Sequence, residues 1–419
     1  MKTMKLHAAQ VYVAMIFMMA LASSTMFVTN GIYLITELGL SPFQLLLMGT
    51  VLELTVLVFE GITGVVADTY SRRRSVIIGM FVIGTGFVLE GSAMWVHSLL
   101  PVLSVFAIVL IAEFIWGLGH TFISGADSAW IVDEVGEDKV GSLFMRAKRV
   151  SLVASLLGIA LSVGLSTVAK PLPYVAGGIM YIALGVFLLL FMKETAFVRA
   201  ERQEHSSHVQ NMKATWLSGA KVVRQSPILL MLVGVTLFSG AASEGYDRLW
   251  EIHLIKEIGF PQEIALTMPM WFGIIAVLST ILSLIVVRVT EKRLDMGNER
   301  LVFVAMFVLT TLRIAAILLL ALAPNFVWAL CALLAVGVIQ SLSGPIYGTW
   351  LNMNLESRSR ATVLSMMSQS DALGQTAGGP FVGWVGTRWS IRASLIMAGV
   401  LLMPILLVFS RALRRRKGK

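Results

Sequence analysis

The sequence predicts an all-α polytopic membrane protein with twelve transmembrane helices in two six-helix bundles. Three observations predict it. Only 14% of the 419 residues are charged and 57% are hydrophobic, with a mean hydropathy of +0.83. A soluble domain carries about 25% charged residues, so a chain this apolar can cover its surface only if much of that surface faces lipid. Apolar runs of about 20 residues, enough to cross a bilayer, recur along the chain. A pattern at the end of the first run returns at the end of the seventh.

The runs fall near residues 11–36, 43–67, 75–95, 100–130, 147–169 and 172–192, then 226–256, 263–289, 300–322, 326–352, 362–386 and 389–410. Turn formers separate them: Gly39 to Pro42, Pro101, Pro171 with Pro173, Pro261, and Pro324 with Asn325. Lys2 and Lys5 precede the first run, and Ala20-Leu21-Ala22 imitates a cleavage site. The apolar text continues to about Ile35, too long for the core of a signal peptide, and reads as an uncleaved first span.

Charge sets the expected orientation. With both termini in the cytoplasm, the cytoplasmic segments collect nearly all Lys and Arg. The opposite side holds Lys170, Lys256, Arg388 and Arg392, and Arg248 and Arg313 fall within spans. That asymmetry is the positive-inside pattern. It also accounts for the net charge of +9 without nucleic acid as a partner. The single cysteine, Cys331, permits no intramolecular disulfide and no Cys-based metal site. His205 and His208 read as part of a polar linker, and neither a metal nor a cofactor is expected.

Residues 32–40 read Ile-Tyr-Leu-Ile-Thr-Glu-Leu-Gly-Leu, and residues 252–260 read Ile-His-Leu-Ile-Lys-Glu-Ile-Gly-Phe. A second echo pairs Ser124-Gly125 and Trp130 with Ser343-Gly344 and Trp350. Two halves of like topology follow: an N-terminal six-helix half over 1–195, a cytoplasmic linker over 196–225, and a C-terminal six-helix half over 226–419. In parallel repeats of this kind the substrate site lies near the midplane.

The stretch from Gly64 through Val65, Val66, Ala67, Asp68, Thr69, Tyr70 and Ser71 to Arg72, Arg73 and Arg74 resembles the signature loop of the major facilitator superfamily, roughly Gly-x-Leu-Ala-Asp-Arg-x-Gly-Arg-Lys. Thr69 and Ser71 depart from it. The resemblance covers the whole chain and implies two six-helix bundles of major facilitator type. It also implies a conformational latch made of Gly64, Asp68, Arg72 and Arg73. Gly64 would let a helix pack closely, Asp68 would meet the positive end of a facing helix, and Asp127 would pair with Arg72 or Arg73. Arg360 to Ser365, Asp371 to Gln375, Gly378 to Pro380 and Ser124 to Trp130 look like the bacterial tetracycline and multidrug efflux branch of drug/proton antiporters. Two features depart from that branch. Ser155 to Ser166 lacks the Gly-Pro pair expected in span five, and Glu113 stands where an arginine is expected before Gly117.

Ionisable residues inside a membrane cost at least roughly 2.5–3.5 kcal/mol each at the centre, which makes them functional candidates. Glu53, Glu60, Glu113 and Asp371 are the candidates for proton coupling. The family places spans two and eleven face to face, so Glu60 and Asp371 would approach in one state and share a proton. In span seven, Glu244 and Arg248 are spaced to neutralise one another on one helical face. Glu90 and Arg313 sit on spans that the family places at the periphery and read as structural. The resemblance implies a cavity lined by spans one, four, seven and ten, where the candidates are Asn30, Tyr33, Trp116, His120, Tyr246, Trp250, Gln340 and Tyr347. Aromatics with a few acids suit amphipathic cations or bulky apolar compounds.

No catalytic dyad or extramembrane domain is legible, so the chain is not an enzyme. The expected function is secondary active transport: proton-coupled efflux of drugs or other amphipathic small molecules by alternating access, conferring multidrug resistance. The alternative is a facilitator-type importer of a sugar or organic acid. The expected partners are a small-molecule substrate, protons and the lipid bilayer. The expected setting is a monomer in the bacterial cytoplasmic membrane, multi-pass, with both termini cytoplasmic.

Overall fold

The computed structural model describes residues 7–197, 224, 227–294, 298–353 and 360–417. The linker expected over 196–225 lies almost entirely outside these residues, as do Lys2, Lys5, His205 and His208. Among the described residues the regular structure is helical throughout. In chain order the helices are α1 (Ala8–Phe27), α2 (Asn30–Thr36), α3 (Pro42–Thr69), α4 (Arg72–Gly91), α5 (Ala93–Leu99), α6 (Val105–Ile123), α7 (Ala126–Val135), α8 (Glu137–Val168) and α9 (Leu172–Phe191). There follow α10 (Pro227–His253), a π-helical turn (Leu254–Ile258), α11 (Met268–Arg293), α12 (Glu299–Ala321), α13 (Phe326–Met353), α14 (Arg360–Arg388), α15 (Ile391–Leu401) and α16 (Met403–Lys417).

Among the described residues, ten helices are long and apolar enough to cross a bilayer. Two further long helices, α10 and α14, are not among these ten. The 27-residue α10 carries Glu244, Asp247, Arg248 and Glu251, and the 29-residue α14 is rich in Gly, Ser, Thr and Gln besides Asp371. Both coincide with runs that the sequence marks as spans, and both are the polar helices of their set. Large apolar side chains such as Leu157, Val168, Leu190 and Ile285 point outward and are exposed, as a lipid-facing surface requires.

The chain divides into two compact units. The first comprises Met1–Leu40, Val51–His208 and Thr267–Gly273, and the second Ser41–Thr50, Val209–Leu266 and Ile274–Lys419. In the first unit α1 packs on α8 and α9, and α4 packs on α6 and α9. In the second, α10 packs on α14 and α15, and α12 on α13 and α15. The α4–α9 contact runs glycine against glycine. A Cβ on Gly84 would stand 2.6 Å from the Gly178 carbonyl oxygen, and one on Gly178 would stand 2.7 Å from that of Gly84. Such small residues let helix backbones meet directly.

The first sequence echo has a matching structure in each unit. Gly39 and Gly259 both take positive φ, 66° and 75°, and each ends its helix, a conformation that glycine adopts without a Cβ clash. Tyr33 and His253 both reach to a carbonyl at the end of another helix of their own unit. Tyr33 donates from its hydroxyl to the Glu90 carbonyl at 3.0 Å, and His253 Nε2 lies 3.0 Å from the Leu320 carbonyl. The second echo diverges. Gly125 takes φ 74° and separates α6 from α7, whereas Gly344 lies inside α13 just before Pro345. The Trp350 side chain lies outside the described residues.

Candidate functional site

The signature loop folds into a tied corner of the first unit. Ser71 caps α4, its Oγ accepting from the Arg74 amide at 3.0 Å. Glu194, beyond the end of α9, covers the same helix start. It accepts from the Ser71 hydroxyl at 2.5 Å, the Arg72 amide at 2.8 Å and the Arg73 amide at 3.2 Å. A carboxylate there meets unpaired amides and the positive end of the helix dipole. Arg72 pairs with Asp133, stands 3.5 Å from Asp68, and donates to the Ala129 carbonyl at 3.2 Å. Arg73 donates to the carbonyls of Met192 and Leu189, at 2.6 and 2.8 Å.

Two expectations about this loop need correction. Asp127 does not pair with Arg72 or Arg73. It accepts from the Ser128 amide at 2.6 Å and from the Ser128 hydroxyl at 3.2 Å. The left-handed turn at Gly125 restarts the helix, which sets Asp127 in the first turn of α7 and leaves Asp133, near its other end, to meet Arg72. Among the described residues Gly64 makes no close helix contact, since a Cβ on it would meet none of their atoms within 4 Å. Asp133 and Glu194 are the members of the cluster that the motif did not reveal. Motif comparison covers the loop but not the elements that close on it.

Asp127 instead lines a cavity of about 350 Å³ in the first unit. Trp116 and His120 line it as well, with Phe27, Phe87 and Tyr181. The Trp116 ring lies 5.3 Å from Phe27 and 5.1 Å from Phe87, centroid to centroid. Glu60 borders this region, accepting from the Ser124 hydroxyl at 3.1 Å, and the charges of Glu60 and Asp127 both act on His120. The sequence candidates Trp116, His120, Glu60 and Asp127 therefore come together, but in a grouping different from the one expected.

A second cavity, of about 360 Å³, lies within the second unit. Asp371, Tyr347 and Arg313 line it, against an apolar wall that includes Met306, Leu309 and Phe409. The Thr236 hydroxyl donates to the Leu232 carbonyl at 2.9 Å, so Tyr347 is the donor in its 2.5 Å bond with Thr236. Gln375 donates to Asp371 at 2.8 Å, and Gln340 to Asp247 at 3.4 Å. Arg313 acts electrostatically on both Asp247 and Asp371, while its buried Nε has no hydrogen-bond partner. The sequence reading of Arg313 as a peripheral structural residue is therefore corrected. Its charge was legible, but the cavity it faces was not.

The other candidates are scattered. Tyr33 is 1% exposed and spends its hydroxyl on backbone, and Asn30 accepts from the Gly31 amide at 2.9 Å at the start of α2. Both serve the helix break rather than a cavity. Tyr246 is buried, Trp250 is half-buried, and neither lines the two cavities above. Glu53 is half-buried on α3, and Glu113 is buried on α6. Glu244 and Arg248 form the expected pair within α10, at 3.2 Å. Among the described residues no cluster of three or more His, Cys, Asp or Glu is placed to hold a metal.

Comparison with known proteins agrees with this architecture. A family profile described as Major Facilitator Superfamily matches residues 12–370. A curated relative from Bacillus subtilis (strain 168), the uncharacterized MFS-type transporter YxaM, is 24% identical over 365 residues, 87% of this chain and 86% of its own length. Among solved structures, the nucleoside transporter NupG superposes with a TM-score of 0.70 at 13% identity, over 97% of this chain and 99% of its own. The peptide transporter POT in complex with sulfate does so with a TM-score of 0.71 at 14% identity, over 97% and 94%. At these identities the structures establish the fold alone.

Proposed function

The chain belongs to the Major Facilitator Superfamily and is a secondary transporter rather than an enzyme; from that premise we propose that it exports amphipathic, predominantly cationic small molecules in exchange for protons. The observation that carries this reading is the first-unit cavity, which Phe27, Phe87, Trp116 and Tyr181 line together with Asp127. An aromatic wall with one acid suits an organic cation, through cation–π attraction and apolar contact. Coupling is assigned to half-buried carboxylates. Asp371 faces the second cavity beside Arg313, and Glu60 borders the first. In a low-dielectric bundle such acids bind protons in exchange for a positive charge.

The proposal includes twelve spans, with α10 and α14 crossing as well, and a 1–195 half joined to a 226–419 half. It sets the protein as a monomer in a bacterial cytoplasmic membrane, both termini inside, with the tied corner around Arg72 as the latch. The test uses proteoliposomes with an imposed proton gradient and a lipophilic cation such as tetraphenylphosphonium. Gradient-driven movement of the cation, abolished by a protonophore and by D371N with E60Q, is expected. Movement that survives both carboxylate changes refutes the coupling assignment. No movement of any amphipathic cation refutes the substrate class.

A second reading rests on Arg313. A guanidinium facing a cavity can hold a carboxylate, which suits import of an organic acid or a zwitterionic nutrient. Uptake of a labelled carboxylate that is lost in R313Q would favour it over export.

A further inference from the structure

We propose that His253 and Glu257 form a proton-binding site, with Arg392 as its standing counter-charge, in the second copy of the repeated helix end. The imidazole of His253 is wholly buried, at 0% exposure. Its Nε2 is 3.0 Å from the Leu320 carbonyl. A carbonyl oxygen can only accept, so Nε2 carries the hydrogen and a neutral ring presents a lone pair at Nδ1. That nitrogen has no hydrogen-bond partner, yet it stands 3.4 Å from Glu257 Oε2. The same oxygen accepts from Arg392 Nε at 2.7 Å.

With the ring neutral, an acceptor therefore faces an acceptor inside the protein. One proton added at Nδ1 turns that contact into a charge-assisted N–H···O bond. The cluster changes from neutral to one net positive charge. The ionisable groups acting on the ring are Glu257, from the π-helical turn, and Arg392, from the start of α15. The end of α12 contributes the Leu320 carbonyl. The proton has a route, because the side chains of Glu257 and Arg392 are 23% and 49% exposed.

The first copy of the repeat separates the structural duty from the proton site. At the matching position Tyr33 donates to the carbonyls of Glu90 and Gly91, at 3.0 and 3.3 Å, and its phenol has a single polar atom, with no counterpart of the second ring nitrogen. One donor is enough to hold the helix end. The second nitrogen of His253 is surplus to that task and is the atom that faces Glu257. On the proposed orientation this site lies at the non-cytoplasmic end of α10, where it would sense outside pH.

The test is imidazole nitrogen NMR of the full chain in lipid nanodiscs, titrated from pH 5 to 9. The six histidines make the spectrum tractable, and H253Q identifies the signal by its loss. Should H253Q fail to fold, H253Y, the solution found in the first copy, supplies the blank. We expect the His253 ring to gain a proton at Nδ1 within this range, and proton binding to weaken about tenfold or more in E257Q. A ring that stays neutral throughout, or that titrates identically in E257Q, overturns the proposal. The readout is proton occupancy and not transport, so failure of the coupling reading above would leave this titration unchanged.

Discussion

Substituting alanine at Gly84 tests the glycine seam between α4 and α9. The added methyl would stand 2.6 Å from the Gly178 carbonyl oxygen and 2.7 Å from Ile182 Cγ1, with ordinary contact beginning near 3.4 Å. The seam must therefore open by about 0.8 Å. Part of the obstacle is backbone, which cannot rotate aside as a side chain can. Overpacking of this kind costs about 1–3 kcal/mol, against a gain of about 0.5–1 kcal/mol from replacing glycine within a helix. G84A should be destabilised, and G84A with G178A more so. Gly64 is the internal control, because a Cβ there meets no atom of the described residues within 4 Å, so G64A should be neutral or more stable by up to about 1 kcal/mol. The assay is thermal unfolding in detergent, read as the order of the variants. G84A unfolding at or above the wild-type temperature would refute the packing argument, and so would G64A unfolding below it.

Other predictions concern single contacts. E194A removes the shared acceptor of the Ser71 hydroxyl and of two amides at the start of α4, and should cost about 1–3 kcal/mol by the same unfolding assay. Y347F removes the hydroxyl that donates to Thr236, which keeps its own bond to Leu232; a loss of about 0.5–1.5 kcal/mol is expected. W116A thins the aromatic wall of the first-unit cavity, and half-saturation for a transported amphipathic cation should rise about 2- to 30-fold, equivalent to roughly 0.5–2 kcal/mol.

Much of the fold was legible because lipid leaves little choice. A long apolar run bounded by Gly, Pro or Asn must become a helix that satisfies its own backbone, and most helix limits follow the predicted runs, although α8 starts well before its run and the runs 100–130 and 389–410 each hold two helices. The repeat was legible for a similar reason. Gly39 and Gly259 hold a backbone shape that other residues resist, so the text around them carries the geometry. The site was harder to read. Matched motifs point Asp127 at Arg72 or Arg73, but one left-handed residue, Gly125, turns α7 so that Asp133 takes the pairing with Arg72. Glu194 lies far along the chain from Arg72, and no spacing rule joins them. Arg313 announced itself as an intramembrane charge. What it faces depends on how five helices of the second unit surround a cavity, which no single-helix pattern encodes.

The backbone seam of α4 and α9 has a mechanical corollary. Where glycine meets carbonyl there are few side-chain rotamers to trade, so sliding one helix past the other finds no intermediate resting place. That pair should travel as one rigid strut. Bending within the first unit is then left to places where a helix is already interrupted, among them Val28 and Thr29 between α1 and α2, and Ser124 and Gly125 between α6 and α7. The second of these interruptions carries Asp127 into the aromatic cavity. A hinge there would move a charge relative to Trp116 without disturbing the strut, turning a small rotation about one glycine into a change in what the cavity can hold.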